Sequence, residues 1–217
     1  RVPPSRYEAA SDEWKIAFWL NAYNALTLKV VADRYPIEPS PLRGMAFPDN
    51  SIRQIPGVWD KLQFLVLGER MTLGEIEHAK LRGRFAEPRI HMALVCAAMG
   101  CPQLRREPYT GETLEAQLAD QSRTFLRDPA KFRIDREAEV VYLSSIFRWF
   151  GGDFAPYADE RGFASGTETE QAVLRFAARY LPADAAAWLR DETYTIRYLE
   201  YDWSLNAQQA GGREEPK

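Results

Sequence analysis

EWKIAFWLNAYNALTLKVVADRY, residues 13–35, contains neither Gly nor Pro and carries apolar side chains on nearly every face. Ser11 and Asp12 offer caps in front of it and Pro36 stops it, so the stretch reads as one helix. A helix that is apolar all round is buried on most sides, which makes this one the centre of the domain. Asn21 and Asn24 share a face with Phe18, Ala25 and Leu28 by i, i+3, i+4 spacing. An unpaired buried amide costs about 1–3 kcal/mol, so both carboxamides need partners. They are read as brackets that point at residues 91–104 and hold that backbone, with a role in a site as the other reading.

Around this helix the rest of the chain alternates short elements. Residues 36–60 are rich in Pro and Gly and read as an irregular connection with at most a short helical turn. LQFLVLGERMTL, residues 62–73, reads as a hairpin turning at Gly68-Glu69. Thr72 and Glu75 make a capping-box pattern, so a helix starts there and carries Leu73, Ile76 and Leu81 as its apolar stripe. Glu77 falls within that stripe, where a partly buried salt bridge to an Arg is the bland explanation. IHMALVC, residues 90–96, is a continuous apolar run and reads as a strand covered on both faces; AAMGCPQL follows as a loop. An amphipathic helix ends before Pro129, and a second hairpin spans 131–144 around Arg136–Ala138. A short helix over SSIFRWFGGDF stops at Gly151-Gly152, two more helices follow over 167–181 and PADAAAWLRD, and TYTIRYLEYDW is β-like.

Mixed helices and hairpins without regular βαβ alternation predict a single α+β domain. It has a buried central helix, several amphipathic helices and a small antiparallel or mixed sheet built from short hairpins. Residues 1–12 form an N-terminal extension, 13–206 the domain and 207–217 a flexible tail. The hydrophobic content of 46% and charged content of 27% are those of an ordinary soluble globular protein. A formal charge of −3 supplies no general attraction for nucleic acid, and no apolar run reaches the ~18–20 residues of a membrane span. The chain opens with Arg1, as a processed or trimmed chain would, so its start carries no address. Phosphate loops, nucleophile elbows and nucleotide fingerprints are absent from the sequence, and no cofactor is expected.

The chemistry-bearing residues cluster. Both histidines, His78 and His91, and both cysteines, Cys96 and Cys101, fall between residues 78 and 101. One arrangement makes Cys101 a nucleophile in its flexible loop, with His91 or His78 taking the proton and Glu77 orienting the imidazole. Cys96, at the end of an apolar strand, is the poorer nucleophile. In a second arrangement the four residues bind zinc, although strand alternation sets His91 and Cys96 on opposite faces. The third is a Cys96–Cys101 disulfide or redox pair, closing so short a loop that it stabilises only modestly. A core cysteine beside an incidental loop cysteine is the plainest alternative.

FWLNAYNALTL (18–28), LGEIEHAKLR (73–82), EPRIHMALVCAAMGCPQL (87–104), SSIFRWFGGDF (144–154) and YLEYDWSLN (198–206) together resemble the DUF547 family, a domain of unknown function in bacteria and plants. The resemblance runs over about residues 13–206 and assigns Asn21, Tyr23, Asn24, Glu77, His78, His91, Cys96, Cys101 and Pro102 to the family's motif positions. Gly100 departs from it, standing where the family usually has Ser. Because many bacterial members look exported, the resemblance implies a periplasmic or secreted setting. The combined expectation is a thiol-dependent hydrolase or acyl transferase acting on a peptide-like or thiol-containing small molecule. Cys101, His91 and Glu77 would be catalytic, and Asn21, Tyr23, Asn24, His78 and Cys96 would support the site. The rival is a non-catalytic binding or scaffolding module with a structural Cys/His cluster, held by a disulfide or zinc.

Overall fold

The central helix α2 (Asp12–Ala32) starts where Ser11 accepts the Trp14 N–H, and the computed structural model describes residues 2–39, 43–157 and 163–207 of the chain around it. Its buried face runs through Ile16, Trp19, Leu20, Tyr23, Asn24, Thr27 and Val30, a helical spacing. Ala25 and Leu28 face outward instead, so the stripe expected around the asparagines lies one step further round the helix. Burying a large apolar side chain such as Leu20 contributes about 1.5–3 kcal/mol, which fixes this face inward. Within residues 2–12, read from sequence as an extension, α1 (Pro4–Glu8) lies against α2; the Tyr7 hydroxyl accepts from Trp19 Nε1 at 2.8 Å. The tail expected over 207–217 falls, after its first residue, outside the described residues.

Strands β1 (Gln63–Val66) and β2 (Glu69–Thr72) form the first hairpin, registered from Gln63 opposite Thr72 to Val66 opposite Glu69. Its turn is Leu67-Gly68, one residue earlier than expected, with φ of 51° and 86°, because a tight two-residue loop takes left-handed backbone at both central positions. The Thr72/Glu75 capping box closes in both directions and opens α3 (Leu73–Glu75). The helix then widens into a π-helical stretch, Ile76–Arg82, a form the residue spacing does not announce.

Residues 90–96 are not the strand their apolar run suggests. Pro88 and the Glu87 carboxylate, which accepts the Arg89 N–H, start a 3₁₀ turn over Pro88–Met92, and the chain continues irregularly to Cys96. The run is apolar because it is enclosed on all sides, a property that strands do not monopolise. Strand alternation therefore no longer separates His91 from Cys96.

In the second half, α4 (Leu114–Arg127) leads to β3 (Phe132–Asp135) and β4 (Val140–Leu143), an antiparallel pair; β5 (Thr195–Tyr198) joins β4 in parallel, giving a mixed sheet. Between them lie α5 (Ser145–Phe150), α6 (Glu168–Ala178) and α7 (Ala183–Asp191). Gly151-Gly152 does not stop the coiling after α5, which tightens into a 3₁₀ segment, Gly151–Tyr157. Lacking a Cβ, Gly151 leaves room for Thr169 of α6, whose methyl would lie 2.7 Å from one. The result is an α+β domain, as the order of elements predicts.

Two hydrophobic clusters fill it, one around α2, the first hairpin and the π-helical stretch, the other around α4, the mixed sheet and α5–α7. Ile90 and Ala93 pack into the first, whereas Met92 between them packs into the second. The 88–96 segment is thus the seam of the domain. Among the described residues no helix is long and apolar enough to cross a membrane.

Candidate functional site

The seam is held by Asn24. Its Nδ2 donates to the Ala93 carbonyl and its Oδ1 accepts the Val95 N–H, both at 2.9 Å, so one carboxamide satisfies two buried backbone groups that no strand partner serves. Asn21 makes the same two-point brace to a different segment, donating to the Tyr109 carbonyl at 2.8 Å and accepting its N–H at 2.9 Å. The expectation that both reach residues 91–104 therefore holds geometrically for Asn24 alone.

Beyond Val95 the chain turns through left-handed Ala97 (φ 59°) and brings Cys101 back onto Cys96, to which it is disulfide-bonded. The Cys96 N–H points at Cys101 Sγ, 2.9 Å away, and the Tyr201 hydroxyl lies 3.1 Å from both sulfurs. Cys101 is buried and Cys96 half-buried, the reverse of the sequence expectation, because Cys96 ends no strand and the 201–206 segment covers the loop. That cover is an irregular backbone pairing: Met99 donates to Ser204, Gly100 to Asp202 and Asn206 to Ala97. Burial, and then the neighbouring Glu77, push the Tyr201 hydroxyl well above the usual tyrosine range, so it stays protonated and can donate to sulfur.

The disulfide forms part of the wall of a cleft of about 220 Å³. His91, in the same lining, is buried and stacked on Phe150 with ring centroids 4.3 Å apart, and its Nε2 lies 2.7 Å from Asp153 Oδ2. Arg82 clamps the same carboxylate with two bonds, Nε to Oδ2 at 2.5 Å and Nη2 to Oδ1 at 2.9 Å, and reaches His78 Nδ1 with Nη1 at 2.9 Å. Burial alone would raise the Asp153 carboxyl, but the bonds from His91 and Arg82 outweigh it and hold the group well below the usual carboxylate range. Asp153, carried on the 3₁₀ segment that follows α5, therefore orients His91.

Glu77 does not take that part. Its Oε2 accepts from the Tyr23 hydroxyl at 3.3 Å, and Trp59 Nε1 donates to the same hydroxyl at 3.2 Å. Among the described residues neither imidazole hydrogen-bonds to Glu77 or to a sulfur, and Glu77 has no ion-pair partner within 4.0 Å. Burial first, and then Glu77, raise the Tyr23 hydroxyl well above its ordinary value. The salt bridge to an Arg expected for Glu77 is not formed, and Arg82, on the same π-helical stretch, is engaged by Asp153. The four-residue zinc arrangement is not formed either: both sulfurs are bonded to each other, and among the described residues no three His, Cys, Asp or Glu groups converge as a metal site would require.

The remaining walls are aromatic. Trp149, Tyr201 and Trp203 pack in a row, with centroids 4.8 Å apart for the first pair and 4.5 Å for the second; Trp203 also meets Trp59 edge-on at 6.2 Å. Arg53 lays its guanidinium against this cluster, 4.6 Å from the Phe47 ring centroid and 5.0 Å from that of Trp203. Asp153 and Tyr201 lie inside stretches whose resemblance is visible in sequence, SSIFRWFGGDF and YLEYDWSLN, yet nothing in their spacing assigns them to one site. Arg53 sits in the irregular 36–60 connection and has no periodic signal at all.

The fold and cleft thus define an α+β domain with a disulfide, a carboxylate-oriented histidine and an aromatic wall gathered at the seam of two cores. The family model described as protein of unknown function, DUF547, matches residues 7–126, and the chain belongs to that family. No curated protein and no solved structure matches the chain. The matched segment carries Asn24, Glu77, His91 and the disulfide, whereas Asp153, Tyr201 and Trp203 come from beyond it.

Proposed function

We propose that the cleft is a thiol-dependent acyl-transfer site, hydrolytic when water is the acceptor, whose resting form is the Cys96–Cys101 disulfide. The observation that carries this reading is the meeting of that cysteine pair and the Asp153-oriented His91 in one cleft wall. A small thiol attacks Sγ of Cys96, the more exposed cysteine, its proton passing to His91, and Cys101 leaves as a thiolate toward the Cys96 N–H and the Tyr201 hydroxyl. A second thiol attacks the mixed disulfide, releasing the oxidised small disulfide and the Cys96 thiol; two thiols supply the two electrons.

The Cys101 thiolate then adds to an acyl carbon of a peptide-like substrate. His91, its Nε2 engaged by Asp153, gives its proton to the departing group as the thioester forms. In the second half-reaction neutral His91 takes a proton from water, which adds to the thioester and expels the Cys101 thiolate. Cys101, His91 and Asp153 carry this chemistry, Tyr201 supports the sulfur, and Glu77 does not serve it.

Iodoacetamide labelling read by peptide mass spectrometry, with and without a phosphine reductant, tests the proposal alongside hydrolysis of an acyl thioester of N-acetylcysteamine. Expected are labelling only after reduction, a Cys101 pKa below the ~8.5 of a free thiol, slower labelling in His91→Ala, and thioester turnover confined to the reduced protein. Reduced Cys101 that labels no faster than a free thiol, is indifferent to His91→Ala and supports no turnover would reject it. The second reading, a binding module clipped by its disulfide, draws on the burial of Cys101 at 3% exposure and would then stand.

A further inference from the structure

Two charged side chains in the cleft are left over by the thiol chemistry. Arg53 is one: it forms no ion pair among the described residues, its Nε is buried without a hydrogen-bond partner, and its guanidinium is held on the faces of Phe47, Trp59 and Trp203. An arginine cannot shed its proton to relieve such a position. Its plane is therefore fixed by packing, and the residue lines the cleft. Glu77 is the other: it is 9% exposed, lines the same cleft, and receives one neutral hydrogen bond, from Tyr23. Glu77 is buried and Arg53 half-buried with an unserved Nε, and both are costly positions for a charge without an ionic partner.

The geometry points to a zwitterionic ligand, a short peptide with free termini, bound with its carboxylate at Arg53, its ammonium at Glu77 and apolar side chains against the tryptophans. The inference rests on the reading of the cleft as a substrate site but not on its thiol chemistry. A guanidinium fork matches a carboxylate with two parallel hydrogen bonds. An ammonium gains from a carboxylate and from aromatic faces together; Tyr23 adjoins Glu77, and Trp59, which bonds to Tyr23, lines the same cleft. A purely anionic ligand would leave Glu77 unpaired and a purely cationic one would face Arg53, so one molecule carrying both charges answers both groups.

The test is binding of the dipeptide Leu-Leu to the disulfide-intact protein, followed by calorimetry and by the fluorescence of the cleft tryptophans. N-acetyl-Leu-Leu and Leu-Leu amide are compared with it. Either blocking group should weaken binding about tenfold or more, as expected for truncating one partner of a desolvated charge pair. The penalty of acetylation should vanish in Glu77→Gln and that of amidation in Arg53→Gln. Free and blocked dipeptides binding alike, or none of the three binding saturably, would overturn the inference, and these arms need no variant to fold. Charge-selective binding without thiol-dependent turnover would remove only the catalytic proposal; thioester turnover without charge-selective binding would remove only this one.

Discussion

A β-carbon on Gly100 would lie 2.8 Å from three carbons of the Tyr201 ring. The phenol that reaches both sulfurs thus enters across a position where no side chain can stand, and Gly100 and Tyr201 are two halves of one contact. The Ser expected here from the family resemblance would displace the ring. Gly100→Ser should cost about 1–3 kcal/mol, the range for overpacking a filled site. Tyr201→Ala should cost stability by itself, yet Gly100→Ser should add little on top of it, because the clash is gone. Urea midpoints for the two single variants and the double variant supply the cycle. Strictly additive effects would show that the contact does not couple the two positions.

Asn24→Leu removes the side chain that serves both the Ala93 carbonyl and the Val95 N–H. Two buried backbone groups lose their partners, for a cost of about 2–5 kcal/mol. The domain should stay folded while amide hydrogen exchange speeds up over residues 93–104. Asn21→Leu, whose brace lies at Tyr109, should instead speed exchange near Tyr109 and leave 93–104 protected. Unchanged protection of 93–104 in Asn24→Leu would mean that the seam is held by its apolar packing.

The Asp153 carboxyl, held low by His91 and Arg82 against the opposing effect of burial, binds its proton less readily in the folded than in the unfolded protein. Its contribution is present above the unfolded carboxyl pKa of ~3.9 and is lost as pH falls below that value toward the folded one. Asp153→Asn should therefore lower stability at neutral pH by about 1–2 kcal/mol, allowing for partial solvent exposure, and should flatten the acid limb below about pH 4. Urea unfolding of both proteins at neutral pH and near pH 3 measures the difference. An acid limb of equal steepness in the two would assign the loss to other carboxylates.

The helices, both hairpins and the clustering of His78, His91, Cys96 and Cys101 are legible in periodicity and turn chemistry, which are local properties. Residues 90–96 are apolar because two cores meet over them, and an enclosed irregular segment has the same composition as an enclosed strand. Glu77 stands beside His78 in sequence, yet the widened π turn directs it to Tyr23. Asp153 reaches His91 across 62 positions and Tyr201 reaches Cys101 across 100, and such pairings leave no trace in spacing.

The order in which the chain is made gives the 201–206 cover a further meaning. Cys96 and Cys101 emerge from the ribosome long before Tyr201, Asp202 and Ser204, so in the nascent protein the loop has its sulfurs but no lid. The two sulfurs can thus meet each other before the last segment docks, and synthesis itself separates a phase in which the 96–101 loop is open from one in which residues 201–206 lie over it.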